Sequence, residues 1–210
     1  MTDYAALQIG AAKRGLTLLG GFTDDNRTTL LLGPDPQDFW PILQTAPEAR
    51  HPDPVDRWST RIIGDWAADL GAQARFPFGT PLHPFITWAR RTGRCHISPV
   101  GLLVHDAQGL MVSFRGALTL DHDIALPAAP PSPCTGCAAP CLTACPVGAM
   151  TGDGYDLRAC HDWLDDPRNT CMARGCAVRR ACPASPPRPD AQSAHHMAYF
   201  HRPTLQTEER

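Results

Sequence analysis

Over residues 53–72, "DPVDRWSTRIIGDWAADLGA", apolar positions recur at spacings of three and four. Val55, Trp58, Ile62, Trp66 and Leu70 share one face, which predicts a long amphipathic helix that Gly71 can end. Trp58 and Trp66 are read as core residues, since aromatics at helical spacing bury large apolar areas. Upstream, Thr2 or Asp3 can cap a helix running toward Gly15, with Leu7 and Ala11 on one face. Two apolar runs, "LTLLGGF" and "TTLLLG", are parted by "TDDNR" and predict two strands joined by a turn. "PQDFWPILQTA" predicts a short helix started or kinked at Pro41. "PLHPFITWARR" predicts another, with Pro84 tolerated in its first turn.

Residues 100–120, "VGLLVHDAQGLMVSFRGALTL", hold two apolar runs around "DAQG". They predict a hairpin in which Gly109 supplies a positive φ. The resulting fold class is α+β. The expected organisation is an α+β domain over residues 1–125 and a stiff proline-rich joint, "LPAAPPSP", over 126–133. A mainly helical and loop module is expected over 134–187, and a tail with a short helix over 188–210.

Composition is that of a globular chain of 210 residues, 43% hydrophobic and 19% charged, with a net charge of −2. That balance gives no reason to expect binding to nucleic acid or to a membrane surface. No stretch approaches the roughly 20 apolar residues of a membrane span. The N-terminal "MTDYAALQIGAAKRG" lacks the apolar run of a signal peptide, so a cytoplasmic location is expected. In that compartment clustered thiols point to metal or redox chemistry.

The cysteines change the picture most. Of the nine, all but Cys95 lie between Cys134 and Cys182. The first run is C-x2-C-x3-C-x3-C-P, made by Cys134, Cys137, Cys141, Cys145 and Pro146. Bacterial ferredoxins carry C-x2-C-x2-C-x3-C-P, whose fourth cysteine ligates the other cluster of a pair. On that logic three thiolates of a tight loop hold one cubane, while Cys145 starts a helix and serves a second. The downstream set, Cys160, Cys171, Cys176 and Cys182, also closes on Cys-Pro. Crossed pairing gives Cys134, Cys137, Cys141 and Cys182 to one [4Fe–4S] cluster, and Cys145, Cys160, Cys171 and Cys176 to the other. Structural zinc, disulfides, and a single cluster with idle thiols remain as alternatives.

These residues carry a resemblance. "CTGCAAPCLTACPVGAM", then "YDLRACHDWL", then a set closing on Cys-Pro, is similar to the ferredoxin segment of epoxyqueuosine reductase and the reductive dehalogenases. The resemblance runs from about Val100 to Pro183 and is specific over the cysteines. It implies two [4Fe–4S] clusters, with Cys160 in the isolated position, and in those enzymes a neighbouring cobalamin. The hairpin also resembles the end of their cobalamin-binding domain, so it is expected beside the clusters. "CMARGCAVRRACP" and "QSAHHMAYF" further resemble a group of bacterial proteins described as ferredoxins or 4Fe–4S proteins.

Two functions follow from this reading. One is an electron-transfer protein serving a redox partner protein or a small-molecule acceptor. The other is a reductase whose N-terminal domain binds a corrinoid or a flavin fed by the clusters. No glycine-rich nucleotide fingerprint is present, and no catalytic residue is assigned. His195 and His196 are read as part of a helix docking Met197 and Phe200, and Cys95 as a buried small side chain. His83, His96 and His105 form no metal spacing. Arg158, Arg168, Arg174, Arg179 and Arg180 surround the second run and could offset cluster charge, or form a solvated basic face.

Overall fold

The computed structural model of the chain describes residues 3–202. It contains both helices and strands, in two compact units. The first comprises the chain up to Cys95 together with Ser113–Pro131; the second comprises His96–Val112 together with the chain from Ser132.

The first unit opens with α1 (Tyr4–Ala12), capped by Asp3, whose carboxylate accepts from the Ala6 amide at 2.8 Å. Strands β1 (Leu16–Asp24) and β2 (Arg27–Pro34) pair antiparallel. Asp25 and Asn26 turn between them at φ 48° and 58°, the left-handed pair that a two-residue hairpin turn demands. Next come α2 (Phe39–Thr45), α3 (Pro54–Leu70), the short β3 (Gln73–Arg75) and α4 (Phe85–Arg91). The chain enters the second unit along β4 (Cys95–Ile97), pairs it with β5 (Leu103–His105), and returns to the first unit as β6 (Gly116–Leu120). The four-stranded antiparallel sheet has the order β1-β2-β6-β3.

One sheet face, with Leu16, Leu18, Leu30, Leu32, Leu118 and Leu120, packs on Leu7 of α1, Phe39 of α2 and Trp58 and Ile63 of α3. Trp58 is fully buried and meets Phe39 edge-on at 5.1 Å and 81°, a geometry that adds about 1 kcal/mol to simple burial. Ile63, rather than Ile62, is the fully buried isoleucine of α3. On the other face Phe22 packs against Trp88 of α4.

The expected hairpin over residues 100–120 does not form. Its two apolar runs separate into β5 and β6, which belong to different sheets. A single bridge, His105 to Gly109, closes the turn at "DAQG". The second run pairs instead with β2 over Thr28–Leu32, which gives it a longer ladder than β5 could. The first run stays in the second unit, where Val100, Val104 and Leu110 pack with Cys141, Met150 and Val178. The domain division expected at residue 125 is corrected accordingly, because residues 96–112 belong with the cysteines.

The second unit continues with a hairpin of β7 (Met150–Thr151) and β8 (Gly154–Tyr155), then α5 (Leu157–Asp165), α6 (Cys171–Arg174), α7 (Ala177–Ala181) and α8 (Asp190–Phe200). Helix α8 buries Met197 against Leu164 and Cys171, with Phe200 beside them. The tail expected over 188–210 thus begins as a packed helix, and residues 203–210 lie outside the described residues. Among the described residues no helix is long and apolar enough to cross a membrane.

Candidate metal centres

Two cavities gather the eight clustered cysteines. Cys134, Cys137, Cys141 and Cys182 line the first, about 430 Å³ of space that includes its open mouth, with Pro99, Val104, Leu110 and Pro183 around them. Cys145, Cys160, Cys171 and Cys176 line the second, about 310 Å³ on the same measure, with Trp163, Leu164, Val178 and Met197 around them. Each cavity takes three cysteines from one run and one from the other. These are the two groupings that the crossed pattern leads one to expect. All eight thiols are free of disulfides, and Cys95, also free, is buried elsewhere.

Local structure explains how each thiol reaches its cavity. Cys134 and Cys137 bracket a turn in which the Cys137 amide donates to the Cys134 carbonyl at 3.2 Å, and Cys141 sits in a short 3₁₀ turn over Pro140–Leu142. Cys145 does not start a helix. Instead the Gly148 amide donates to its carbonyl at 3.2 Å, and the Ser185 amide does the same to Cys182 at 2.9 Å. Both Cys-Pro closures are therefore β-turns with proline second, where its fixed φ suits the turn and its missing N–H goes unnoticed.

Cys160 lies within α5. Asp156 caps that helix by accepting from the Ala159 amide at 2.9 Å. Cys171 opens α6 and Cys176 precedes α7. His161 of α5 shares a 2.8 Å Nδ1–Nδ1 hydrogen bond with His201, whose Nε2 meets Asp165 at 2.8 Å, so the end of α8 is tied back onto α5.

Electrostatics follow the same grouping. Desolvation pushes the Cys134 thiol up, and Cys182, Cys137 and Cys141 push it further. Cys141 is raised by burial and again by Cys182 and Cys137. Cys160 is raised by burial and by Cys176, Cys145 and Cys171, against a lowering hydrogen bond from Tyr155. Among the described residues, no three His, Cys, Asp or Glu side chains converge closely enough to hold a single metal ion.

Three contributors escape a sequence reading. The Tyr155 hydroxyl donates to Cys160 Sγ at 3.2 Å. Ser185 accepts from the Leu110 amide at 3.1 Å and donates to the Arg179 carbonyl at 2.9 Å, which pins the segment after Cys182. Gly109 approaches that segment so closely that a Cβ would strike Ser185 and Ala184. No spacing rule links Leu110 to Ser185, 75 residues on, so only the fold reveals the contacts of Ser185 and Gly109. Of the five arginines near the second run, Arg168 pairs with Asp166, Arg174 reaches Asp190 at 4.0 Å, and Arg180 donates to the Gly175 carbonyl. Arg179 donates to the Leu110 carbonyl at 2.7 Å. His83 stacks on Trp88, and His105 Nδ1 accepts from the Ala107 and Gln108 amides. His195 sits in α8, where burial lowers its pKa.

No protein family, curated protein or solved structure matches the chain in comparisons of sequence and fold.

Proposed function

We propose that this chain is an iron–sulfur electron-transfer protein with a ferredoxin-like second unit. Cys134, Cys137, Cys141 and Cys182 would hold one [4Fe–4S] cluster, and Cys145, Cys160, Cys171 and Cys176 the other. The observation that carries the reading is the sorting of eight thiols from two sequence runs into two separate rings of four. A structural zinc site needs four ligands about 2.3 Å from one ion, and no such convergence is found among the described residues. A ring about an apolar space suits a larger inorganic core. A bound cubane would supply one-electron transfer at each ring.

The chain's own residues do the rest. Apolar side chains limit water at the thiolates, and the Ala139 amide donates to Cys137 Sγ at 3.4 Å. Such donors offset thiolate charge and hold the sulfur in place. The electron would pass to a redox partner protein or a small-molecule acceptor.

Anaerobic purification followed by iron, sulfide, cobalt and flavin analysis tests this reading. It predicts about eight iron and about eight sulfide per chain, with a brown chromophore bleached by dithionite. Stoichiometric zinc without sulfide would refute it. Stoichiometric cobalamin or flavin beside full iron would move the assignment to a reductase fed by the clusters.

A further inference from the structure

Each cavity wall holds one buried donor that the folded chain leaves without a partner. Ser98 is the first. It follows β4, its amide donates to the Leu102 carbonyl at 2.9 Å, and its carbonyl accepts from the Gly101 amide at 2.9 Å. Pro99 comes second in that turn, where its fixed φ fits and it has no N–H to offer the serine. Ser98 is only 6% exposed and lines the first cavity with Cys134, Cys137, Cys141 and Cys182. Its backbone is fully engaged, yet its buried hydroxyl meets no hydrogen-bond partner.

Trp163 is the counterpart in the second cavity. It stands three residues after Cys160 on α5, a spacing that puts both on one helix face. It packs with Leu164, Cys171 and Met197 and lines the cavity with Cys145, Cys160, Cys171 and Cys176. Its Nε1 is buried and also meets no partner. An indole N–H can only donate, and a buried one ordinarily finds an acceptor. Among the described residues, no other buried side-chain donor without a partner stands in either wall. Apart from these two side chains and the thiols, both walls are lined by apolar side chains. A buried donor left unmade is costly, so each calls for an acceptor carried by whatever fills its cavity. A thiolate-ligated cluster brings such acceptors, its ligand and inorganic sulfurs.

Resting on the cluster reading above, we infer that the Ser98 hydroxyl donates a hydrogen bond to a sulfur of the first cluster, and the Trp163 indole N–H to a sulfur of the second. Reduction adds one electron to a cluster and moves no proton. The reduced cluster is the more negative acceptor, so each donor binds it more strongly and raises the potential of its own site.

The test is an anaerobic dithionite titration of the full chain followed by electron paramagnetic resonance, with iron determined on every sample. The couple lost in Cys134→Ala identifies the first site, and the couple lost in Cys171→Ala the second. Ser98→Ala should retain full iron and lower only the first-site couple, by about tenfold in the reduction equilibrium, or 59 mV for one electron. Trp163→Phe should do the same to the second-site couple alone, so each variant is the control for the other. Ser98→Thr and Ser98→Val share a shape and differ in the hydroxyl. Threonine should keep the first-site potential near its native value and valine should lower it, which separates the donor from mere packing. Full iron with the two couples unmoved in Ser98→Ala and Trp163→Phe would overturn the inference and leave the cluster reading standing. So would equal first-site potentials in Ser98→Thr and Ser98→Val. Absence of iron and sulfide from the native chain would instead overturn the cluster reading itself.

Discussion

Replacing Gly109 by alanine isolates the contact that holds the Cys182 segment. Gly109 has φ +53°, and a Cβ built there would lie 2.5 Å from Ser185 Oγ and 2.7 Å from the Ala184 carbonyl carbon, with the Ser185 amide nitrogen nearer still. Two costs combine. Left-handed backbone costs alanine about 1–2 kcal/mol, and forcing a methyl group into backbone atoms costs about 1–3 kcal/mol. The expected loss is about 2–5 kcal/mol. Gly101 provides the control, since it has φ +76° with nothing within 4 Å of its Cβ position. Gly101→Ala should therefore cost only the conformational part, about 1–2 kcal/mol. The assay is urea unfolding of both anaerobically purified variants, with iron determined on the same samples. Gly109→Ala should be the less stable of the two and should lose iron, because Ser185 can move only by dragging the Cys182 turn with it. Equal stability and equal iron in the two variants would refute the reasoning.

Three further outcomes follow from the same structure. Arg61 holds the Glu48 carboxyl down from 4.5 to about 2 through a paired hydrogen bond. A depressed carboxyl pKa stabilises the fold above about pH 4.5, and that contribution fades as pH falls toward about 2. With Arg61 41% exposed, water screens the pair and limits it to about 1 kcal/mol. Urea unfolding of Glu48→Gln followed by tryptophan fluorescence should show that deficit at pH 7 and lose it near pH 2. Asp156→Ala removes the cap of α5 and should cost about 1 kcal/mol, read by the same unfolding assay, with iron lost from the second site before the first. Cys95→Ala should leave the iron content unchanged in elemental analysis, because Cys95 lines neither cavity.

Much of the first unit is legible locally. The spacing of Trp58 and Trp66 identifies α3, and the apolar runs on either side of "TDDNR" identify β1 and β2, because each signal resides within a few neighbouring residues. The grouping of the thiols is legible for another reason. Repeated Cys-Pro closures mark the fourth member of each run, and a crossed arrangement satisfies both. What escapes is long-range choice. The segments Leu103–His105 and Gly116–Leu120 each read as strands, but nothing local says that the second pairs with Thr28–Leu32 while Val104 and Leu110 turn to Cys141 and Val178. That choice divides the chain at Cys95 and Val112 as well as near the proline-rich joint. The helix expected to start at Cys145 fails for a local reason: Gly148 at φ 64° closes the turn before a helix can propagate.

The central claim is the crossed assignment of ligands, and single cysteine replacements read by electron paramagnetic resonance of the dithionite-reduced protein test it most directly. Cys134→Ala and Cys182→Ala, 48 positions apart, should leave the same residual spectrum, that of the second site. Cys145→Ala and Cys171→Ala should share the complementary one. If Cys182→Ala instead matched Cys171→Ala while Cys145→Ala matched Cys134→Ala, each run would hold its own cluster and the crossed account would be wrong.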